Sequence, residues 1–198
     1  MKLTRFFLIS LLISLFVSEV YSQGTMLYLN GKTKRFMTAE VKGDFLIYRP
    51  EGPHKDGIRK MEKFDIFSLQ FDDGTEQIIY EPDTTYGDPS VEEAREYVKG
   101  EQLADSIYKK PMNLIGGIAS GAAGSILVFY APIVPAVYAT TISLFTPHMP
   151  KSQLEKEVRS EDFIAGYERK ARNKKTKSAL LGGVIGLGVG LSILAVIQ

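Results

Sequence analysis

The chain predicts an α+β membrane protein: a small antiparallel β-domain followed by helices, with two or three membrane-embedded helical segments. Three observations point there. Charge is partitioned along the chain. Residues 24–110 carry 13 Lys/Arg against 17 Asp/Glu and residues 151–177 carry nine against five, while 111–150 and 178–198 carry none. Uncharged apolar blocks between acidic and basic segments mark chains that enter lipid. Turn chemistry is the second: Asn30-Gly31, Lys42-Gly43-Asp44 and Asp72-Asp73-Gly74-Thr75 separate short apolar runs, the pattern of hairpins. The third is an export signal at the start.

That signal occupies 1–22. Lys2 and Arg5 precede a twelve-residue apolar stretch, 6–17, too short to cross a hydrocarbon core about 30 Å thick. Val20 and Ser22 then suit a cleavage site before Gln23. The alternative is an uncleaved anchor. Composition narrows the chemistry further. With 198 residues and 44% hydrophobic side chains, global disorder is excluded. The absence of Cys excludes disulfides, a thiolate metal site, a Cys nucleophile and lipid attachment through Cys. Two His leave no imidazole cluster.

The β-domain is expected over 24–81. Strands are predicted at 26–29, 38–41, 45–48, 58–61, 66–71 and 77–80, with Asn30-Gly31 as a type I′ turn and 49–57 as a Pro/Gly loop. Alternation of Ile66, Ser68 and Gln70 with Phe67, Leu69 and Phe71 predicts a half-buried strand. Five or six strands form a small curled sheet or barrel. Asp72-Asp73-Gly74-Thr75-Glu76 lacks the ligand spacing of a calcium loop and reads as a turn. His54, in the loop, has no nucleophile beside it in sequence.

A linker, 82–89, leads to an amphipathic connecting helix at 90–109. Ser90 and Glu93 make a capping box. Gly100 costs about 1 kcal/mol against Ala in a helix and leaves two readings, one helix or two pieces, 91–99 and 101–109. The membrane segment 112–146 is broken at Pro132 and Pro135. Residues 112–130 form one membrane helix, and 132–145 a shorter embedded piece with Pro132 in its first turn.

Small residues form rows on these helices. Gly117 and Gly121 run on to Ser125, with Gly124 in a second row, and the last segment, 178–197, carries Gly182, Gly186 and Gly190. Such rows let backbones approach in lipid, so these six glycines are the expected helix-packing residues, within the chain or between chains. Ile185, Val189 and Ile193 are expected to face lipid.

In the basic amphipathic segment, 151–177, Leu154 and Val158 begin a short stretch and Ser160 caps a helix running towards the last span. Arg169, Lys170, Arg172, Lys174, Lys175 and Lys177 are expected to face anionic headgroups. Two topologies remain. If only 112–130 crosses, the basic segment is cytoplasmic, which its nine Lys/Arg favour. If both pieces cross as a hairpin, it lies outside, which the Lys109-Lys110 pair favours.

The layout resembles a poorly characterised group of Bacteroidota cell-envelope membrane proteins with a signal peptide ending before Gln, a small strand domain and glycine-rich transmembrane helices. The matching features are the Asp65-Ile66-Phe67-Ser68 to Gly74-Thr75 strand and turn, the Gly100, Ala104, Tyr108 spacing, and Gly166-Tyr167 with Ala171 and Lys174-Lys175 before the last helix. The resemblance implies no enzyme activity and no site residues.

These readings lead to an expected function: a non-enzymatic, membrane-anchored accessory or structural subunit of an envelope assembly. It takes no cofactor, metal or nucleic acid. Its partners are the bilayer and further copies or other envelope proteins. The expected location is the bacterial inner membrane, with the β-domain in the periplasm. A pore or transporter component is the alternative, weakened by membrane segments without Asp, Glu, Lys or Arg. A membrane enzyme is a third reading, and no triad or phosphate loop supports it.

Overall fold

The computed structural model describes residues 23–52, 57–109, 111–151 and 160–197. The export signal, His54, Leu154 and Val158 lie outside the described residues. The fold is α+β: a six-stranded antiparallel sheet followed by helices. It divides into two compact units. One comprises the sheet residues up to Leu27 and Thr33–Ile79, the other Tyr28–Lys32 with Tyr80–Gln198.

The strands are β1 (Gly24–Tyr28), β2 (Thr33–Lys42), β3 (Phe45–Pro50), β4 (Arg59–Glu62), β5 (Ile66–Phe71) and β6 (Glu76–Ile78), in spatial order β4-β3-β2-β1-β5-β6. Only a 3-10 turn, Lys63–Asp65, joins β4 to β5. In a flat sheet those strands would stand four spacings apart, about 19 Å. A single 3-10 turn advances about 2 Å per residue, so the sheet must curl. A bulge between Phe36 and Thr38 supplies part of the bend. Phe36 packs inside, edge-on to Phe71, with ring centroids 5.9 Å apart.

Two hairpins use one device. Gly31 N donates to Tyr28 O and Tyr28 N to Lys32 O; Gly74 N donates to Phe71 O and Phe71 N to Thr75 O. Each loop has three residues, with its glycine at positive φ, 71° and 89°. The Asn30-Gly31 turn is therefore not the two-residue type I′ turn expected. Leu29 and Asn30 are central, and Gly31 takes the left-handed position after them. Asn30 Oδ1 accepts from Lys32 N and Asp73 Oδ1 from Thr75 N. The Asp73 carboxylate is committed to Thr75, whose hydroxyl and amide hold it below the usual carboxylate range.

The strand predictions depart most from the structure in two places. β2 is ten residues long, because the bulge lets the chain bend without leaving the ladder. β5 is not half-buried: Ile66, Phe67, Ser68 and Leu69 are all buried, so both its faces are covered. Ser68 Oγ is satisfied there by Glu76 Oε1 at 2.7 Å.

The helices are α1 (Val91–Ile107), α2 (Met112–Ser125), α3 (Ile133–Ser143) and α4 (Glu161–Ile197). Ser90 and Glu93 form both bonds of the capping box. Of the two readings at Gly100, the unbroken helix is the one observed. The single membrane helix expected at 112–130 ends in α form at Ser125. A turn and a 3-10 segment, Val128–Tyr130, then reverse the chain into α3. Pro135 stands in the first turn of α3, where its missing N–H leaves no broken bond.

Helix α4 is one 37-residue helix, about 55 Å long at 1.5 Å per residue, and Ser160 Oγ accepts from Phe163 N near its start. Among the described residues this is the one helix long and apolar enough to cross a membrane.

Ser90→Ala removes half of the capping box. Thermal unfolding followed by helical ellipticity should show a loss of about 1 kcal/mol. The Glu93 carboxyl is held below its usual range by Ser90. Its contribution is therefore present above the ordinary carboxylate range and disappears as pH falls through the lowered value.

Candidate functional site

Helix α4 organises the helical unit, and glycines decide how closely its neighbours lie. A Cβ on Gly100 of α1 would overlap Phe163 O, and one on Gly166 of α4 would overlap Tyr97 O. Further along, a Cβ on Gly182 would overlap Leu114 O and one on Gly186 would overlap Ile118 O. From α2, Gly117 meets Ala179 O and Gly121 meets Gly183 O. Four-residue steps on α2 answer four-residue steps on α4, and on α1 the pairs Glu101–Lys170 and Asp105–Lys174 advance together in the same way, so α1 and α2 both run parallel to α4. Gly190 faces Ser125 Oγ, and Gly124 faces Ala131 O and Val134 of α3. Helix α3 returns antiparallel: Tyr138 reaches Gly116 near the start of α2, and Pro135 packs on Gly183.

All six glycines singled out from sequence are thus buried and face other segments of the same chain. Gly100 and Gly166 belong to the same set. They were missed because neither belongs to a four-residue row: Gly100 is the one glycine of α1, and Gly166 lies far before the others of α4.

The two halves of α4 pack by opposite rules. In the first half Phe163, Tyr167 and Ala171 join Ala104, Tyr108 and Met149 in a buried core, with large side chains inside. In the second half Ala179, Gly182, Gly183, Gly186 and Gly190 are inside. Leu180, Leu181, Val184, Ile185, Val189, Leu191, Ile193 and Val196 are outside, each at least 44% exposed. Only 22% of its most apolar stretch is buried. The hairpin follows suit, exposing Ile115, Ile126, Leu127, Phe129, Ile133 and Val137. The switch falls where the charged stretch ends, between Lys177 and Ser178.

Just before the switch lies a collar of basic side chains, and most are engaged within the chain. Arg169 donates to Tyr97 Oη at 2.8 Å. Arg172 donates to Thr146 Oγ1 at 2.6 Å, and Lys175 to Phe145 O at 3.1 Å. Lys174 donates to Asp105 O at 2.7 Å and lies 3.3 Å from the Asp105 carboxylate, closing the C-terminal end of α1. Lys170, nearly buried, donates to Asn30 O at 2.7 Å and stands 3.8 Å from Glu101 Oε2. Lys177 is exposed. The sequence reading aimed all six at headgroups and missed the partners that five of them find in the fold.

Glu101 is the unusual group in this collar. It is 2% exposed, and its Oε2 has no hydrogen-bond partner among the described residues. Burial pushes its carboxyl above the usual range, and the charges of Lys170 and Arg169 pull the other way. Among the described residues no three His, Asp or Glu side chains converge as a metal site. Searches against protein-family models, curated proteins and solved structures find no match to this chain.

Two substitutions two residues apart test the packing. Gly186→Ala should lower the melting midpoint of the detergent-solubilised chain, because its methyl group would overlap Ile118 O. Gly188, whose Cβ would meet nothing within 4 Å, should gain up to about 1 kcal/mol on substitution by Ala from helix propensity. Lys170→Met leaves Glu101 buried without its cation, at a cost of about 3–5 kcal/mol while the carboxylate is charged. Glu101 is already raised and would rise further, so protonation should relieve that cost. The deficit in thermal stability should be larger at pH 8 than at pH 5.

Proposed function

We propose that this protein is a non-enzymatic, membrane-anchored accessory or structural subunit of a bacterial envelope assembly. The observation that carries the membrane part is the inversion along α4. Small residues face inward and large apolar ones outward only beyond Lys177. Water penalises that arrangement, whereas in lipid the outer side chains are solvated and helices associate by close packing.

Helix α2 has 14 residues and α3 has 11, about 21 and 17 Å, each short of a full crossing. Paired as an antiparallel hairpin beside residues 178–197, and with 126–132 at the tip, they reach the level of the end of α4. A three-segment embedded bundle follows. Its parallel α1–α4 packing favours the topology that keeps α1 and the basic collar on one side, with the tip on the other. Export of the chain puts the collar and the sheet unit in the periplasm and the bundle in the inner membrane. Backbone contact along the α2–α4 seam leaves no space for a path there, which disfavours the pore alternative.

The glycine rows are filled from within the chain. Association with another copy or another envelope protein therefore falls to outward faces, including Ile58 and Phe64 of the sheet unit, which are 69% and 65% exposed.

The chain contains no Cys, so single cysteines report topology cleanly. The protein should resist alkaline extraction from membranes. In spheroplasts an impermeant maleimide should label Ser106→Cys and His148→Cys, and should label Tyr130→Cys only after permeabilisation. Alkaline release of the chain would remove the membrane reading. Labelling of all three in intact spheroplasts would remove the hairpin topology.

A further inference from the structure

A pocket of about 300 Å³ opens where α1 gives way to α2, lined among others by Lys109, Pro111, Asn113, Leu114, Lys174 and Ser178. That volume is at the lower end of the roughly 300–1,000 Å³ of small-molecule sites. Its position is informative. Lys109 and Pro111 flank the start of one uncharged block, and Ser178 opens the other. The parallel packing of α1 and α2 on α4 brings both boundaries to the same level. On the membrane reading, on which this inference rests, that level is the headgroup layer.

The accessible wall of the pocket is mostly apolar, with two cations and a hydroxyl set into it. Lys109 is exposed, and Lys174 is held in place by Ala104 O, Asp105 O and the Asp105 carboxylate. The two ammonium groups outnumber that one carboxylate. Ser178 adds a hydroxyl. Helix α2 begins at Pro111 without a side-chain cap; Leu114 N and Ile115 N donate back to Pro111 O, and the positive dipole end of the helix faces this corner. Asn113 supplies the independent observation. Its Nδ2 is buried and has no hydrogen-bond partner among the described residues. A buried donor without an acceptor costs on the order of 1–3 kcal/mol, and its presence is explained if an acceptor arrives from outside the chain. Pro111 and Leu114 give the same pocket an apolar side.

We propose that this pocket binds the phosphate of an anionic phospholipid headgroup. Lys109 and Lys174 supply the charge, and Asn113 with Ser178 the neutral donors. The apolar side accommodates the glycerol and the first carbons of the acyl chains.

The full-length protein in dodecyl maltoside tests this. The reagents are phosphatidylglycerol, chain-matched phosphatidylcholine and sodium phosphate at equal ionic strength. The readouts are the melting midpoint and the lipid retained in native mass spectra. Phosphatidylglycerol should raise the midpoint and remain bound; phosphatidylcholine and inorganic phosphate should do neither. Asn113→Leu should leave the lipid-free midpoint unchanged or higher, because it removes an unpaired donor, yet lose most of the phosphatidylglycerol increment. Lys174→Gln should weaken phosphatidylglycerol binding about tenfold, the loss of one neighbouring positive charge. Lys177→Gln, off the pocket, should bind as wild type does.

Equal response to the two lipids overturns the proposal, as does an undiminished increment in both Asn113→Leu and Lys174→Gln. A shift with inorganic phosphate matching that of phosphatidylglycerol overturns the lipid as its source. A chain released by alkaline extraction takes the membrane reading and this proposal together. A retained chain without a phosphatidylglycerol preference removes this proposal alone.

Discussion

Where Gly182 and Gly186 meet Leu114 and Ile118, main chain touches main chain with no side chain between. That contact sets the axial register of the helical unit. Sliding α2 by one residue would bring Leu181 or Leu187 against a backbone that has room only for hydrogen. The same constraint holds at Gly100 and Gly166, so α1 and α2 lie on α4 in one register although Tyr108–Pro111 separates them. Register in turn determines which charges meet: Lys170 falls opposite Glu101, and Lys174 at the last carbonyls of α1. The polar collar is a consequence of the glycine contacts rather than an independent feature.

Two packing regimes share one uninterrupted helix. Around Phe163 and Tyr167 the interior is built from large side chains, and burial of apolar area stabilises it at roughly 25 cal/mol per Å². Around Gly183 and Gly186 the interior contains little apolar side chain. Its cohesion comes from many weak dispersion contacts at short range and from Cα–H groups near carbonyl oxygens. The first regime tolerates a shift of a few tenths of an ångström. The second does not, because the contact is made by backbone that cannot change rotamer. Position along α4 therefore predicts how forgiving a substitution will be.

Much of this was legible in the sequence. Asn30-Gly31 and Asp73-Gly74 announced hairpins, because a positive φ is needed at each. The turn at 28–32 was assigned the wrong type, because the Asn30 side chain serves Lys32 N and leaves the left-handed position to Gly31 alone. The β2 bulge left no signal, since the alternation of β2 is too weak to show an extra residue. Gly100 left two readings for a general reason. Propensity counts the cost of glycine within its own helix and is blind to Phe163 O arriving from far along the chain. Glu101 and Asp105, which meet Lys170 and Lys174, went unseen likewise: they lie in α1, which pattern reading treated as a separate element. Asn113 went unremarked, although an amide two residues inside an otherwise uncharged, mostly apolar block is itself a signal.

The parallel arrangement of α2 and α4 has a consequence for synthesis. Helices that run parallel cannot be joined by a tight turn, and here α3 and the segment after it intervene. At roughly 5–20 residues per second, several seconds pass between the emergence of Ser125 and that of Gly190, its neighbour in the fold. During that interval the α2–α3 hairpin can form by itself, but the glycine face of α2 has no partner. The seam closes only once residues 182–190 have been made. A chain interrupted before Gly182 therefore has its hairpin but lacks the contact that sets α2 and α4 in register, and the glycines at 182, 186 and 190 are where the helical unit is locked.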